Sequence, residues 1–334
     1  MGGIDRPVLK GACVYEKEKS CMQQVIPDYY PQFQCIAGDC RHNCCIGWEI
    51  DIDEATAEYY KDVHGVLGER LHTQIEWGDV PHFRLTKEER CPFLNRDNLC
   101  DVILELGEEG LCNICHEHPR FHNELPGRIE SGIGLCCEAA GRLILGQKEP
   151  MTLLVSGENV CEDAFVALRD ELLVILQDRS LDLDVRLQHM LDRCCVSAPD
   201  QNWERWASFL LGLERLDEAW TERLCELKKE WATIDMEAFG KYMKPRETEY
   251  EQFAVSLLYR HFANGADEDD LGARASFVAF GCGLIRRLGA IAWTKTGHFS
   301  FEDQVGLARL FSSELEYSEE NLDAVFDELF EGCH

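Results

Sequence analysis

Apolar residues follow two regimes along the chain, and the change falls near residue 150. Before it they come in short runs broken by turns. The stretch Trp48-Glu49-Ile50-Asp51-Ile52 alternates apolar and acidic positions, which predicts a half-buried strand. Asp53 can cap the next element, a helix expected over residues 54–64. Residues 91–100 read as two short extended pieces around a polar turn. A helix is predicted from Asp101, interrupted near Gly107 and Gly110; residues 129–133 are expected to be extended and residues 138–145 helical.

After residue 150 apolar residues recur at three- and four-residue steps. Phe165, Leu168, Leu172 and Leu176 form one stripe, and Trp203, Trp206, Leu210 and Leu213 another. Tyr250, Phe253 and Leu257 repeat the spacing, as do Phe277, Phe280, Leu284, Leu288 and Ile291. Leu322, Val325, Phe326 and Leu329 close the chain behind a cap at Ser318, and residues 264–270 read as a polar loop. Such stripes could line a cofactor cleft, but helix packing is their ordinary use. No internal repeat or low-complexity tract is visible. The pattern predicts a mainly α protein: an N-terminal segment (residues 1–28), a cysteine-rich metal-binding domain with short strands (29–150), and an α-helical bundle (151–334).

Charge and composition change this picture in one respect. The net charge is −29, against an ordinary 45% hydrophobic content. An acidic surface repels phosphate backbones, so nucleic acid is not an expected partner, whereas a lysine-rich protein would suit it. Residues 1–20 lack the apolar core of a signal peptide, and Arg6 breaks the myristoylation pattern. The longest apolar run, residues 275–285, is too short to span a bilayer. A cytoplasmic protein with no membrane association is expected.

The chain has 18 cysteines, and ten of them lie between positions 35 and 137. In a reducing compartment clustered thiols more often serve metals or catalysis than disulfides. The scattered remainder, including Cys161, Cys225 and Cys282, read as small buried hydrophobes. The clustered ones form four groups: Cys35-x4-Cys40-x3-Cys44-Cys45, Cys91-x8-Cys100, Cys112-x2-Cys115 and Cys136-Cys137. Thiolates are soft ligands that select zinc, copper(I) or iron–sulfur clusters. One structural zinc needs four ligands; ten thiols at irregular gaps exceed that and favour an iron–sulfur cluster, with zinc as the alternative. His42, His116, His118 and His122 fall in the same region, as ligands, proton shuttles or ordinary histidines. No GxGxxG follows a strand and no GxxxxGK[ST] exists. Cys40 and Cys44 have the first gap of a CxxxCxxC triplet, but position 47 is Gly47.

These groups resemble the flagellin lysine-N-methylase family, which contains the CxxCxxCC cysteine-cluster domain described as iron- or zinc-chelating. The resemblance starts at Tyr30-Pro31-Gln32-Phe33-Gln34-Cys35 and continues through Cys40, Cys44-Cys45, Gly47-Trp48 and Cys91-Pro92-Phe93-Leu94. It then takes in Leu99-Cys100, Leu106-Gly107-Glu108-Glu109, Cys115, Pro119-Arg120 and Cys136-Cys137-Glu138-Ala139-Ala140. It implies an enzyme that moves a methyl group from S-adenosylmethionine to lysines of flagellin, or of another lysine-rich protein, and holds a [4Fe-4S] cluster. Carried over by position, the ligands are Cys35, Cys40, Cys44, Cys45, Cys91, Cys100, Cys115 and Cys136. Cys112 and Cys137 are additional thiols beside matched ones, and Arg120 is the expected positive group near the cofactor. No general base is assigned. Two other readings remain open: a non-catalytic zinc- or iron-binding protein whose cysteine cluster stabilises a partner-recognition domain, and a metal-storage or delivery protein.

Overall fold

The computed structural model describes residues 22–157, 163–265 and 267–332. The protein is mainly α with a few short strands. Its first strand, β1 (Gln23–Pro27), is followed by helices α1 (Glu54–Lys61) and α2 (Gly65–Gln74) and the two-residue strands β2 (Ile75–Glu76) and β3 (His82–Phe83). Next come α3 (Asp101–Leu106), α4 (Asn113–Glu117), the strands β4 (Arg120–Leu125) and β5 (Arg128–Ile133), α5 (Glu138–Leu145) and β6 (Leu153–Ser156). The remainder is helical: α6 (Ala164–Leu176), α7 (Leu183–Arg193), α8 (Trp203–Leu210), α9 (Glu218–Glu230), α10 (Met236–Met243), α11 (Glu247–His261), α12 (Glu268–Thr296), α13 (Phe301–Phe311) and α14 (Glu319–Gly332).

The four-stranded sheet has the order β4-β5-β1-β6. β4 and β5 form a hairpin whose turn places Gly127 at φ +77°, a conformation open to glycine at no steric cost. β1 pairs in parallel with β5 and antiparallel with β6. β5 is buried along its whole length, so its Glu130 requires compensation. Arg169 of α6 meets both its oxygens at 2.6 and 2.7 Å, and Arg128 lies at 2.5 Å. A second buried carboxylate, Glu251, is held by Arg179 and Arg186.

Two hydrophobic clusters account for most of the interior. The larger joins Ile133, Leu135 and Ala140 with the apolar faces of α6 to α14. The smaller runs through Ile50, Ile52, Tyr60, Leu67, Leu71, Phe83 and Phe93, and includes Cys91 and Cys112. α12 is long and apolar enough to cross a membrane, but most of its apolar stretch is buried inside the protein.

Several expected elements differ in detail. Ile50 and Ile52 are buried and Glu49 and Asp51 exposed, as alternation predicts, yet residues 48–52 contribute only an isolated bridge, Asp51 to His82. Their partner strand, β3, is two residues long, too short to extend the ladder. Asp53 caps α1 by accepting from the Thr56 amide, and the helix ends at Lys61. α12 begins at Glu268, inside the expected 264–270 loop, because Asp267 caps it through the Asp270 amide. Cys282 is buried, but Cys225 is exposed on α9; Cys161 lies outside the described residues.

Candidate functional site

The thiols are brought together by short local turns. Residues 91–100 close a miniature hairpin: Leu94 bridges Cys100, and the Asn95 side chain accepts from the amides of Asp97 and Leu99. The Cys91 amide donates to Cys45 O at 2.8 Å, which sets the Cys44-Cys45 loop against this hairpin. The Trp48 indole donates to Cys44 O at 2.6 Å and fixes the same loop from the other side. Gly38 lies so close to the hairpin turn that a Cβ there would sit 2.8 Å from Asp97 O. Cys112 stands at the N-terminus of α4 with Cys115 one turn on, and the Asn113 amide donates to Asp53 at 2.9 Å. One carboxylate therefore serves the N-termini of both α1 and α4.

Cys91 and Cys112 are buried in the smaller core, and Cys45, Cys100 and Cys115 pack against it. Their charges sense one another: Cys45 responds to Cys44, Cys91 and Cys100, and Cys115 to Cys112, Cys45 and Cys91. A hydrogen bond from Cys45 lowers the Cys44 pKa, while that contact and burial hold Cys45 protonated. Cys112 and Cys115 divide the same way, with Cys112 the more acidic. Burial pushes Cys91 up to about 11 and raises Cys100. Soft donors so concentrated fit a thiolate-bound centre in kind. Among the described residues no three His, Cys, Asp or Glu groups converge as they would around a single ion, and the described cysteines are free thiols.

Cys40 and Cys137 form a second surrounding, with Cys35 and Cys44 in electrostatic reach. Cys137 sits at the N-terminus of α5 and burial raises its pKa to about 11. Beside it Glu138, almost fully buried, accepts from the Arg41 amide at 3.0 Å and from Arg41 Nε at 2.9 Å. Arg142 reaches the same carboxylate at 2.7 Å, and both arginines also bind Glu302 of α13. The Cys40 thiol lies 3.9 Å from Glu138 Oε2. This four-residue ion network ties the first cysteine loop to the helical body. Only its i,i+4 pair, Glu138 and Arg142, leaves a trace in the sequence.

Cys136 is placed apart from the other groups. It is half-buried beside the Tyr317 hydroxyl and near the Arg260 guanidinium, and desolvation raises its pKa strongly. Arg260 also lies 4.4 Å from the Tyr317 ring centroid and 3.4 Å from Glu316. Glu316 and Tyr317 come from a π-helical turn, Ser312–Glu316, and the residue after it. The Tyr317 hydroxyl donates to Pro119 O, and a Cβ on Gly134 would fall 2.1 Å from that hydroxyl.

Of the histidines, His118 is half-buried between the Trp48 and Tyr317 rings, and desolvation lowers its pKa to about 4, so it is neutral at pH 7. Glu117 bridges His116 and His122 at 2.9 and 3.0 Å, and His122 also meets Ser131 Oγ. His42 has its pKa lowered by burial and by Arg309. Arg120 donates to His116 O and stands over the Phe33 ring at 5.3 Å.

The fold and these turns describe a mainly α protein in which five cysteines belong to, or pack against, a small hydrophobic core. Residues 200–333 match the family model described as the FliB lysine N-methylase C-terminal domain. The chain is 29% identical over 139 residues to the lysine-N-methylases of Salmonella typhimurium and Salmonella choleraesuis, covering 38% of this chain and 33% of each relative. It is 27% identical over 137 residues to the flagellar biosynthetic protein FliU of Salmonella muenchen, covering 38% of this chain and 79% of that protein. The match thus spans about a third of the length of the two lysine-N-methylases. No solved structure matches. These matches bear out the resemblance to the flagellin lysine-N-methylase family.

Proposed function

We propose that the protein is a lysine N-methyltransferase that uses S-adenosylmethionine to modify flagellin in the cytoplasm. The observation that carries this reading is the match of residues 200–333 to a lysine N-methylase domain. The name of the FliU relative supports a flagellar substrate. A lysine amine attacks only after losing its proton, and a desolvated pocket lowers its pKa towards neutrality. The acidic surface, at net charge −29, favours approach of a lysine-rich partner.

A [4Fe-4S] cluster is the centre proposed for the cysteines, with Cys45, Cys91, Cys100, Cys112 and Cys115 as the group whose packing best supports it. A four-iron cluster holds its thiolates further apart than a single ion does, which suits donors that share a core without converging on one point. Bound there, the cluster would cross-link the loops of the smaller core and bring redox-active iron. The burial of Cys91 and Cys112 among Phe93, Tyr60 and Leu71 also favours a second reading, a non-catalytic metal-binding protein whose centre stabilises a partner-recognition surface.

The deciding experiment incubates anaerobically purified protein with flagellin and methyl-labelled S-adenosylmethionine, with iron and acid-labile sulfide measured on the same sample. Label on flagellin lysines supports the transferase. No label, from protein whose metal centre is intact, would leave the binding-protein reading in its place.

A further inference from the structure

A cavity of about 440 Å³ opens in the C-terminal helices between α7, residues 198–203, α10 and α12. Its apolar wall is built by Leu187, Leu191, Ala279 and Phe280, and Trp203 stacks on Phe280 at 5.9 Å with 12° between the planes. Four charged residues line it: Asp184, Glu237, Arg286 and Arg287. Asp184 and Arg286 pair with each other, and Glu237 pairs with Lys241 at 2.6 Å. Arg287 has no carboxylate partner among the described residues.

The Arg287 guanidinium lies 4.3 Å from the Trp203 ring centroid and donates only to neutral acceptors, Gly283 O at 3.1 Å and Gln201 Oε1 at 2.9 Å. Gly283 permits this stack, because a Cβ there would stand 3.0 Å from the indole. Burial, helped by the adjacent Arg286 and only partly offset by Asp184, lowers the Arg287 pKa to about 10. An arginine held over an aromatic ring, on the lining of a partly apolar hollow, is preorganised for an anion.

We infer that this cleft binds a small molecule with one carboxylate on an apolar or aromatic body, the carboxylate pairing with Arg287. The charge count selects a monoanion: Asp184 is paired with Arg286 and Glu237 with Lys241, which leaves one lining guanidinium, Arg287, without an ion pair among the described residues. The inference is independent of the methyl-transfer reading.

Calorimetry on the full chain with 1-naphthylacetate and its methyl ester tests it. The acid should bind at least about tenfold more tightly than the ester. Arg287→Gln should erase that difference while the circular dichroism spectrum stays unchanged. Equal binding of acid and ester, no binding of either, or tighter binding of 1-naphthyl phosphate would overturn the proposal. The acid–ester comparison uses the unaltered protein, so it decides the matter even if the variant does not fold.

Discussion

At the scale of single residues, this protein places charges where burial makes each one consequential. Glu130 is fully buried between Arg128 and Arg169. Glu130→Gln would remove the carboxylate that buried Arg128 and Arg169 share, leaving Arg169 only Asp170, and the expected destabilisation is about 3–5 kcal/mol. Urea denaturation measures it; a loss under about 1 kcal/mol would mean that water or another acidic group reaches the arginines. Glu316 gives a pH signature. Burial would raise its pKa, but Arg260 and the hydrogen bond with His261 overcome that and lower it from 4.5 to about 2. A carboxyl depressed on folding stabilises the protein fully above its unfolded pKa, and the contribution fades as pH falls through the folded value. The stability advantage of wild type over Glu316→Gln should therefore be constant above about pH 5 and shrink steadily towards pH 2. An advantage unchanged across that range would show that the charge of Glu316 is not what stabilises.

At the scale of elements, Asp53 joins what the sequence makes plain to what it conceals. Its role as the cap of α1 is legible because cap and helix are neighbours in the chain. Its second bond, to the Asn113 amide, depends on a fold that brings residues sixty positions apart into contact. Asp53→Ala should cost about 1–2 kcal/mol, and Asp53→Asn less, because the amide oxygen can still accept one of the bonds. Thermal melts of the three proteins test this order, and equal losses for both variants would contradict it. The same divide runs through the rest of the fold. The 91–100 hairpin, the break at Gly107 and the helix at 138–145 are local patterns, and the structure contains them. The parallel pairing of β1 with β5 is not local, and neither is the capping of the loop next to α9 by Glu314, which accepts the Leu216 and Asp217 amides from the π-helical turn. At the candidate centre, the four cysteine groups were legible from spacing. Which groups share surroundings was not: Cys136 turns to Tyr317 and Arg260, while Cys137 faces Cys40 and Cys44.

At the scale of the whole molecule, the two hydrophobic clusters give the proposed metal binding a location. Cys45, Cys91, Cys100, Cys112 and Cys115 all belong to the smaller cluster or pack on it. Its interior depends on small elements, none of its helices longer than the ten residues of α2, whereas the larger cluster surrounds the 29-residue α12. Short helices gain their stability from tertiary packing, and a metal centre that binds only the folded form adds its binding free energy to the region it cross-links. Removing a centre from these cysteines should therefore loosen residues 45–115 first. Hydrogen exchange of metal-loaded and chelator-treated protein makes the comparison directly: protection should fall around Tyr60, Leu71 and Phe93 and persist around Phe253, Phe277 and Leu284. The Glu138 network predicts how far the loosening reaches. Arg41 is the one member in the first cysteine loop, and its ion pairs with Glu138 and Glu302 do not pass through a thiol. Chelation alone should thus leave α5 and α13 protected, and Arg41→Ala combined with chelation should free residues 35–45 as well. Loss of protection throughout α12 on chelation alone would mean instead that the two cores unfold as one unit, and that the centre supports the entire fold.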